Sequence, residues 1–206
     1  MKKFAIGALC SVASLAFAQE GTMETTTMGD SPIKVFANVD LNVAKLTNDG
    51  TGGDLDVGYN LAVGTDGVYM LTQEMGVGLG LDFNMLKGDK DFSGTNVEVS
   101  NTYLDVPVSF AYNLEAMPEL NFMFLAGPYV GIALSDWETK AGGTTTKDNG
   151  KMALGLNLET HATWTITEAF ALGGHIGFKY DFTDLSEATG DQKYWAVGIG
   201  VGAKFL

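Results

Sequence analysis

Apolar residues recur at every second position along most of the chain. The stretch EMGVGLGLDFNM, from Glu74 to Met85, shows this pattern, with glycine, Asp or Asn between its apolar residues Val77, Leu79, Leu81, Phe83 and Met85. A period of two is typical of a β-strand whose faces meet different surroundings. Because glycine packs nothing and costs backbone entropy in a strand, its repeated use on one face needs a structural reason.

The same alternation predicts eight strands. They cover residues 33–44, 55–63 with a continuation towards 69, 74–85, a segment ending over 104–112, 121–134, 154–164, 172–182 and 195–206. Longer acidic or glycine-rich connections, 47–54, 87–96, 135–151 and 183–193, alternate with shorter ones. An even number of strands with alternating connection lengths indicates an up-and-down antiparallel arrangement. Pro107 cannot donate to a ladder, and therefore predicts a bulge or irregular pairing.

The face opposite the apolar residues is too polar for a soluble core. In a soluble sandwich or barrel, the apolar face points inward and the glycines would weaken a wet surface. If the apolar face contacts lipid instead, the glycines and polar residues fill an interior that only just accommodates side chains. The pattern therefore predicts an all-β protein, an eight-stranded antiparallel transmembrane up-and-down β-barrel.

Face assignments follow from the alternation. We expect Leu79, Leu81, Leu156, Leu158, Ile199 and Val201 to contact lipid, and Gly78, Asn157, Glu159, His175 and Gly200 to face inward. Aromatic residues near the strand ends suggest two interfacial girdles. They are Tyr69, Tyr112, Trp164 and Phe170 near the short turns, and Tyr180, Phe182, Tyr194 and Trp195 near the long loops.

Residues 1–18 have the pattern of a secretory signal peptide. Two lysines precede an apolar run and a small-x-small site, Ala16-Phe17-Ala18. The run is shorter than the ~20 residues that a membrane-spanning helix needs. We therefore expect a signal peptide at 1–18, a polar, flexible leader at 19–32 and a barrel domain at 33–206, in a protein exported by a Gram-negative bacterium.

Charge and cysteine content exclude several classes of protein. The net charge of −13 becomes −15 when Lys2 and Lys3 leave with the signal peptide, since 10 basic residues then face 25 acidic ones. So acidic a chain without a basic cluster is a poor candidate for binding nucleic acid. Cys10 is the only cysteine and lies within the signal peptide, so we expect no disulfide, cysteine nucleophile or cysteine metal site in the mature chain.

Four segments, YLDVPVSFAY, FLAGPYVGIAL, LGGHIGFKYDFTDLS and VGIGVGAKFL, give the chain a family resemblance. In their order it resembles the small bacterial outer-membrane β-barrel proteins of the porin-family and OmpA-like transmembrane type. The resemblance implies a location in the cell outer membrane, with outer-membrane lipid and the barrel-assembly machinery as partners. It also implies that the machinery recognises the last strand, where Gly200 and Phe205 match the insertion signal and Leu206 follows. We expect a monomer.

His161 and His175 are the candidate catalytic residues. The simplest register of the turn at Thr167–Glu168 places Glu159 opposite His175, and a Glu–His pair can serve general acid–base catalysis. The nearest hydroxyl is Thr163. The alternative is an interior charge network that closes the lumen, formed by Glu159, His175, Lys179 and Asp181, with Asp105 as a further member. This alternative is favoured, so we expect no catalytic residue.

The sequence also predicts no cofactor-binding or metal-binding residues. The two histidines lack the spacing of an HExxH zinc motif. The acidic glycine-rich loops lack the ligand spacing of an EF-hand, and neither AVGTDG nor GGHIG lies between a strand and a helix as a phosphate loop would.

Four functions compete at this level. The favoured function is a structural or surface-interaction protein of the outer membrane without catalysis. The alternatives are a narrow porin-like channel for small solutes, a membrane-embedded lipid-modifying enzyme and a soluble exported carrier of lipocalin type.

Overall fold

The computed structural model describes residues 32–48, 55–92, 94–183 and 192–205. The predicted signal peptide and most of the predicted leader, with the middle of the first and fourth long loops, lie outside the described residues. Ten strands form within them: β1 Ile33–Asn48, β2 Leu55–Met70, β3 Met75–Phe92, β4 Thr95–Glu115, β5 Leu120–Ala133, β6 Trp137–Ala141, β7 Thr144–Asp148, β8 Ala153–Thr167, β9 Phe170–Asp181 and β10 Gln192–Phe205. Among the described residues, no helix has the length and apolar character needed to cross a membrane.

Eight of these strands close into an antiparallel barrel. Going round the barrel the order is β1, β2, β3, β4, β5, β8, β9 and β10, and β10 pairs back with β1. The first described residues, the end of β10 and the three short turns lie at one end, called the turn end below. The longer connections lie at the opposite end, called the loop end. The predicted fold class is confirmed.

Two predicted loops are largely strand. The segment 87–96 continues β3 and β4, which pair as far as Phe92 and Thr95, with Gly94 in the turn at a φ of 89°. The segment 135–151 contains the hairpin β6–β7, whose first strand pairs with β4 and whose turn has Gly142 and Gly143 at positive φ. Both segments were predicted as loops because they are polar, and hairpins that extend beyond the membrane need no apolar face.

Pro107 interrupts the ladders on both sides of β4 without changing their register. On the β5 side, Pro107 pairs with Tyr129 and the next pair is Phe110 with Ala126. The predicted irregular pairing is therefore a local gap in the ladder and not a bulge.

The outside of the barrel is apolar. Leu79, Leu158, Ile199 and Val201 are exposed, and Leu81 and Leu156 also point outward but are partly covered by neighbouring strands. The residues predicted to face inward do so, and Asn157, Glu159 and His175 are buried. One girdle residue was assigned wrongly: Tyr194 is 7 % exposed and points into the lumen. An apolar exterior around a polar interior is the arrangement of transmembrane barrels.

The lumen is filled in three layers. An apolar cluster closes the turn end and consists of Phe36, Val68, Ala111, Met123 and Leu125. A larger cluster closes the loop end and consists of Ala44, Leu86, Val99, Tyr103, Tyr129, Trp137, Ala153, Tyr194 and Ala196. Charged and amide side chains lie between them. The interior is thus less uniformly polar than the alternation predicted, because apolar residues such as Phe36 and Val68 also occupy inward positions.

Candidate functional site

The middle layer of the lumen holds the chemically interesting residues. We call it the polar layer, and it comprises Asn38, Asp40, Asp66, Asp82, Asn84, Asp105, Asn157, Glu159, His161, His175 and Lys179. All of them lie on inward positions of strands β1 to β4, β8 and β9. Because side chains alternate between the two faces of a strand, these residues all lie on the inward face of their strands. Closure of the barrel brings the inward faces opposite one another.

Asp40 and His175 are in direct contact within the polar layer. The Nδ1 atom of His175 lies 2.5 Å from Oδ1 of Asp40, and Asn38 donates a hydrogen bond from its side-chain amide to the same carboxylate. These two residues are on strands β1 and β9, which are separated by β10. Gly200 on β10 lies directly beside both of them.

The inward glycines are explained by such contacts. A Cβ atom on Gly200 would collide with Oδ1 of Asp40 and come within 2.8 Å of its Cγ. Gly64 has the same position between Asn38 and Asp82, and Gly155 between Tyr129 and Asp181. Each glycine lets side chains on the two flanking strands meet across the space that its own side chain would occupy. These contacts explain why glycine recurs on the inward faces of the strands.

Lys179 pairs with two carboxylates on the opposite wall. Its Nζ atom donates to Asp82 at 2.7 Å and to Asp105 at 3.0 Å, and it lies 5.6 Å from the ring centroid of Tyr129. Asn84 donates a further hydrogen bond of 2.5 Å to Asp105. The partnership of Lys179 with Asp105 agrees with the predicted network. Asp181 instead accepts a hydrogen bond from the Tyr129 hydroxyl.

Glu159, His161 and His175 come together at the centre of the layer. The Oε2 atom of Glu159 is 3.5 Å from Nε2 of each histidine, and Nε2 of His161 is 3.7 Å from Oδ2 of Asp66. The two imidazole rings stack with centroids 4.5 Å apart. The ring of Phe36 covers His161 from the turn end, at 4.6 Å between centroids.

The predicted register between these strands was wrong by one pair. His161, and not Glu159, pairs with His175, while Glu159 pairs with Gly177. The turn lies at Glu168–Ala169, further along the chain than predicted, because Thr167 pairs with Phe170. The irregularity between Thr165 and Thr167 then moves the register back by one residue, which leaves a net difference of two. The inward face was nevertheless assigned correctly, because a shift of two residues preserves the alternation.

Asp40, Asp66 and Asp82 were missed as members of the network. Each is an acidic residue at an inward position, and this is the sequence signal that could have found them. Their partners could not be read from the sequence, since Asp82 and Lys179 are 97 residues apart. They meet across the lumen and not along a ladder.

The two histidines of the polar layer are closed off from solvent. His161 is 2 % and His175 4 % exposed. The Thr163 hydroxyl, the nearest candidate nucleophile, is buried and lies 3.5 Å from the backbone oxygen of Asn121. The cavity beside His175 and Lys179 has a volume of about 20 Å³, which is room for about one water molecule. Three side chains, those of Glu159, His161 and His175, have the ligand types and the spacing for a metal ion, since one ligand atom from each lies within 4.8 Å of the others.

The comparison with known proteins assigns the chain to a family. The model of the family described as "Outer membrane protein beta-barrel domain" matches residues 17–205. The chain belongs to this family. It is a protein of the outer membrane, and its apolar exterior fits a lipid surrounding. None of the curated proteins matches it in sequence.

Solved structures with the same fold include several outer membrane barrels. OprG from Pseudomonas aeruginosa is 12% identical, with a TM-score of 0.55 over 87% of this chain and 99% of that chain. Neisserial surface protein A (NspA) is 14% identical, with a TM-score of 0.52 over 85% and 97%. The outer membrane protease OmpT from Escherichia coli is 8% identical, with a TM-score of 0.50 over 89% and 99%. At these identities the likeness concerns the fold, and the fold itself admits an enzyme as well as proteins not described as enzymes.

Proposed function

We propose that this outer membrane barrel is a structural and surface-interaction protein that neither conducts solutes nor catalyses a reaction. The observation that carries the proposal is the filling of the lumen. Two apolar clusters lie on either side of the polar layer, and both contain side chains with almost no exposure, such as Phe36 and Trp137 at 1 % and 0 %. A barrel of eight strands has an interior that side chains alone can fill.

The narrow channel is the main competing function, and the packing disfavours it. A hydrated solute would have to displace the ion pairs of Lys179 with Asp82 and Asp105, whose desolvated charges need their partners. The enzyme is disfavoured by the burial of both histidines, since a general base must come within hydrogen-bond reach of its substrate.

A role at the surface is supported by the loop end. The hairpin β6–β7 extends β4 beyond the barrel, and its threonine-rich second strand is exposed. An open cleft of about 510 Å³ lies beside it, lined in part by Ser135, Asp136, Glu138 and Lys147. Exposed polar segments held on a rigid barrel are the usual carriers of binding function. We propose outer-membrane lipid and the barrel-assembly machinery as the partners of the barrel itself, in a monomeric protein.

Planar-bilayer recording tests the closed lumen most directly. The refolded protein should give no single-channel steps in 1 M salt at ~100 mV, a potential worth about 2.3 kcal/mol per elementary charge, whereas a porin refolded in parallel gives steady steps. Reproducible steps from the wild-type protein would overturn the proposal. Incubation with purified outer-membrane lipid and mass spectrometry of that lipid tests the second part, and any lipid product that depends on His175 would identify an enzyme.

A further inference from the structure

Four buried side-chain atoms in the polar layer have no hydrogen-bond partner, and three of their residues, Glu159, His161 and His175, each place a ligand atom within 4.8 Å of the others. The four atoms are Nε2 of His161, Nε2 of His175, Oε2 of Glu159 and Oδ2 of Asp66. The four residues are at most 5 % exposed. A buried polar atom without a partner costs about 1–3 kcal/mol, and native proteins rarely leave several of them together. The cluster of Glu159, His161 and His175, with Asp66 beside His161, therefore indicates a ligand between the three side chains.

The spacing of these atoms fits a metal ion better than it fits hydrogen bonds. The contacts from Glu159 to the two histidines are both 3.5 Å, and that from His161 to Asp66 is 3.7 Å. Ligand atoms at about 2.0–2.2 Å from a tetrahedral zinc ion lie about 3.3–3.6 Å from one another. Imidazole nitrogen together with carboxylate oxygen is a donor set that divalent ions of the zinc type accept.

Asp40 positions His175 for a metal. The Nδ1 atom of His175 is 2.5 Å from the carboxylate of Asp40, and in the neutral tautomer that donates Nδ1–H to Asp40 the lone pair of Nε2 is on the side of Glu159. Histidine ligands of metals typically make this hydrogen bond to a carboxylate, which fixes both the tautomer and the ring orientation. Gly200 makes the contact possible, so that part of the glycine pattern also serves this site.

The polar layer has more carboxylates than cationic side chains, which favours a bound cation. Its carboxylates are Asp40, Asp66, Asp82, Asp105 and Glu159, and its one lysine, Lys179, already pairs with Asp82 and Asp105. A divalent ion bound by two neutral histidines and Glu159 is balanced in charge when the carboxylate of Asp66 beside His161 is included. Neutrality matters between two apolar clusters, because an unpaired buried charge is strongly unfavourable.

We propose that the lumen of this barrel holds one divalent transition-metal ion of the zinc type, with His161, His175 and Glu159 as ligands and the carboxylate of Asp66 beside His161. The ion links strands β8 and β9 inside the lumen and has a structural role. A search for an HExxH spacing misses this site, since two of its ligands are alternate residues of one strand and the third comes from the next strand. Because the lumen is closed at both ends, the ion enters during folding and exchanges slowly afterwards.

Refolding with Co²⁺ tests the proposal. The mature chain is refolded into detergent with an excess of Co²⁺, then treated with EDTA and desalted, which strips ions from the acidic loops. We expect one Co²⁺ per protein by elemental analysis, with the intense visible absorption of a tetrahedral complex, and its displacement when Zn²⁺ is present during refolding. The sequence contains only two histidines, so NMR of the wild-type protein also reports the ligands. The imidazole proton signals of both histidines should leave their normal positions when Co²⁺ is bound, and this readout needs no variant.

Substitutions locate the ion. His161→Ala and Glu159→Gln should abolish EDTA-resistant Co²⁺, and Asp40→Asn should weaken binding in competition with a chelator about 10–100-fold, because it orients His175 without touching the ion. Glu115→Gln is the matched control, since it makes the same change at an exposed position at the end of β4 and should retain one Co²⁺. A wild-type protein that retains no Co²⁺ would overturn the proposal, and so would equal retention by wild type and His161→Ala.

Discussion

Asp40 and His175 meet directly over Gly200, although they lie on strands that do not pair with each other. The contact exists because the residue between them has no side chain. We therefore expect Gly200→Ala to separate Asp40 from His175 and to lower the free energy of unfolding by about 1–3 kcal/mol, the usual cost of overpacking an interior. Urea unfolding of the refolded barrel measures this change.

Gly174→Ala is the matched control for that substitution. Gly174 is an outward-facing glycine close to Gly200, and the nearest heavy atom to its added Cβ would be 4.0 Å away. This variant should be neutral, or more stable by about 0.4–1 kcal/mol through the reduced entropy of its unfolded chain. An equal loss of stability in both variants would mean that an alanine destabilises any glycine position of these strands. The contact between Asp40 and His175 would then not be the reason for Gly200.

The second prediction concerns the lipid-facing surface. Ile199 is 64 % exposed and pairs with the exposed residues Leu41 and Ile176 near the middle of their strands. Ile199→Arg should therefore cost about 2–4 kcal/mol in a bilayer, and Ile199→Leu almost nothing. Spin labels at positions 156 and 157 check the alternation independently. The label at 156 should be accessible to lipid-soluble oxygen, and greater accessibility at 157 would reverse the faces.

The third prediction concerns the ion pair of the hairpin. The hydrogen bond from Lys147 and its positive charge lower the pKa of Glu138, and the same contact raises the pKa of Lys147. The pair thus favours the closed hairpin above the unfolded pKa of Glu138, and this contribution is lost as the pH falls through the lowered value. At high pH the same contribution is lost as the pH rises through the raised pKa of Lys147.

Carboxyl NMR titration measures this coupling. The pKa of Glu138 should rise towards its ordinary value in Lys147→Gln and also in wild type at high salt, because salt screens exposed pairs. An unchanged Glu138 titration in Lys147→Gln would show that the two residues do not pair in solution.

Local and long-range features differ in how far the sequence predicted them. The strands and their faces were predictable because alternation is a local signal, and the turn near Thr167 was located within a residue or two. The shift between Thr165 and Thr167 was not predictable, because no glycine or proline marks it. Contacts across the lumen, such as Lys179 with Asp82, depend on the tilt and stagger of eight strands, which the sequence pattern does not specify.

The fourth prediction concerns the side of the membrane that the loop end faces. We expect the long connections 47–54, 87–96, 135–151 and 183–193 to lie outside the cell. Gly142 and Gly143 form the exposed turn of the hairpin, where an insertion disturbs no buried contact. An epitope inserted between them should be labelled by antibody on intact cells, while one inserted in the turn at Glu168–Ala169 should be labelled only after permeabilisation. The opposite result would invert the topology.

The last prediction concerns the balance of charge in the lumen. Lys179 is the only lysine in the polar layer, and it donates to both Asp82 and Asp105. Lys179→Met keeps much of the side-chain volume but leaves two carboxylates facing each other without a cation. Removal of one partner of a buried ion pair typically costs about 3–5 kcal/mol, so we expect a loss of this size in urea unfolding.

A second substitution separates lost charge from lost packing in that variant. If the cost arises from the unpaired carboxylates, Asp82→Asn in the Lys179→Met background should restore part of the lost stability, although Asp82→Asn alone destabilises the protein. If the cost arises from packing, the two losses should instead add, because a change of Asp to Asn alters no volume that Lys179 fills. Additive losses would therefore show that this network does not hold the lumen closed through its charges.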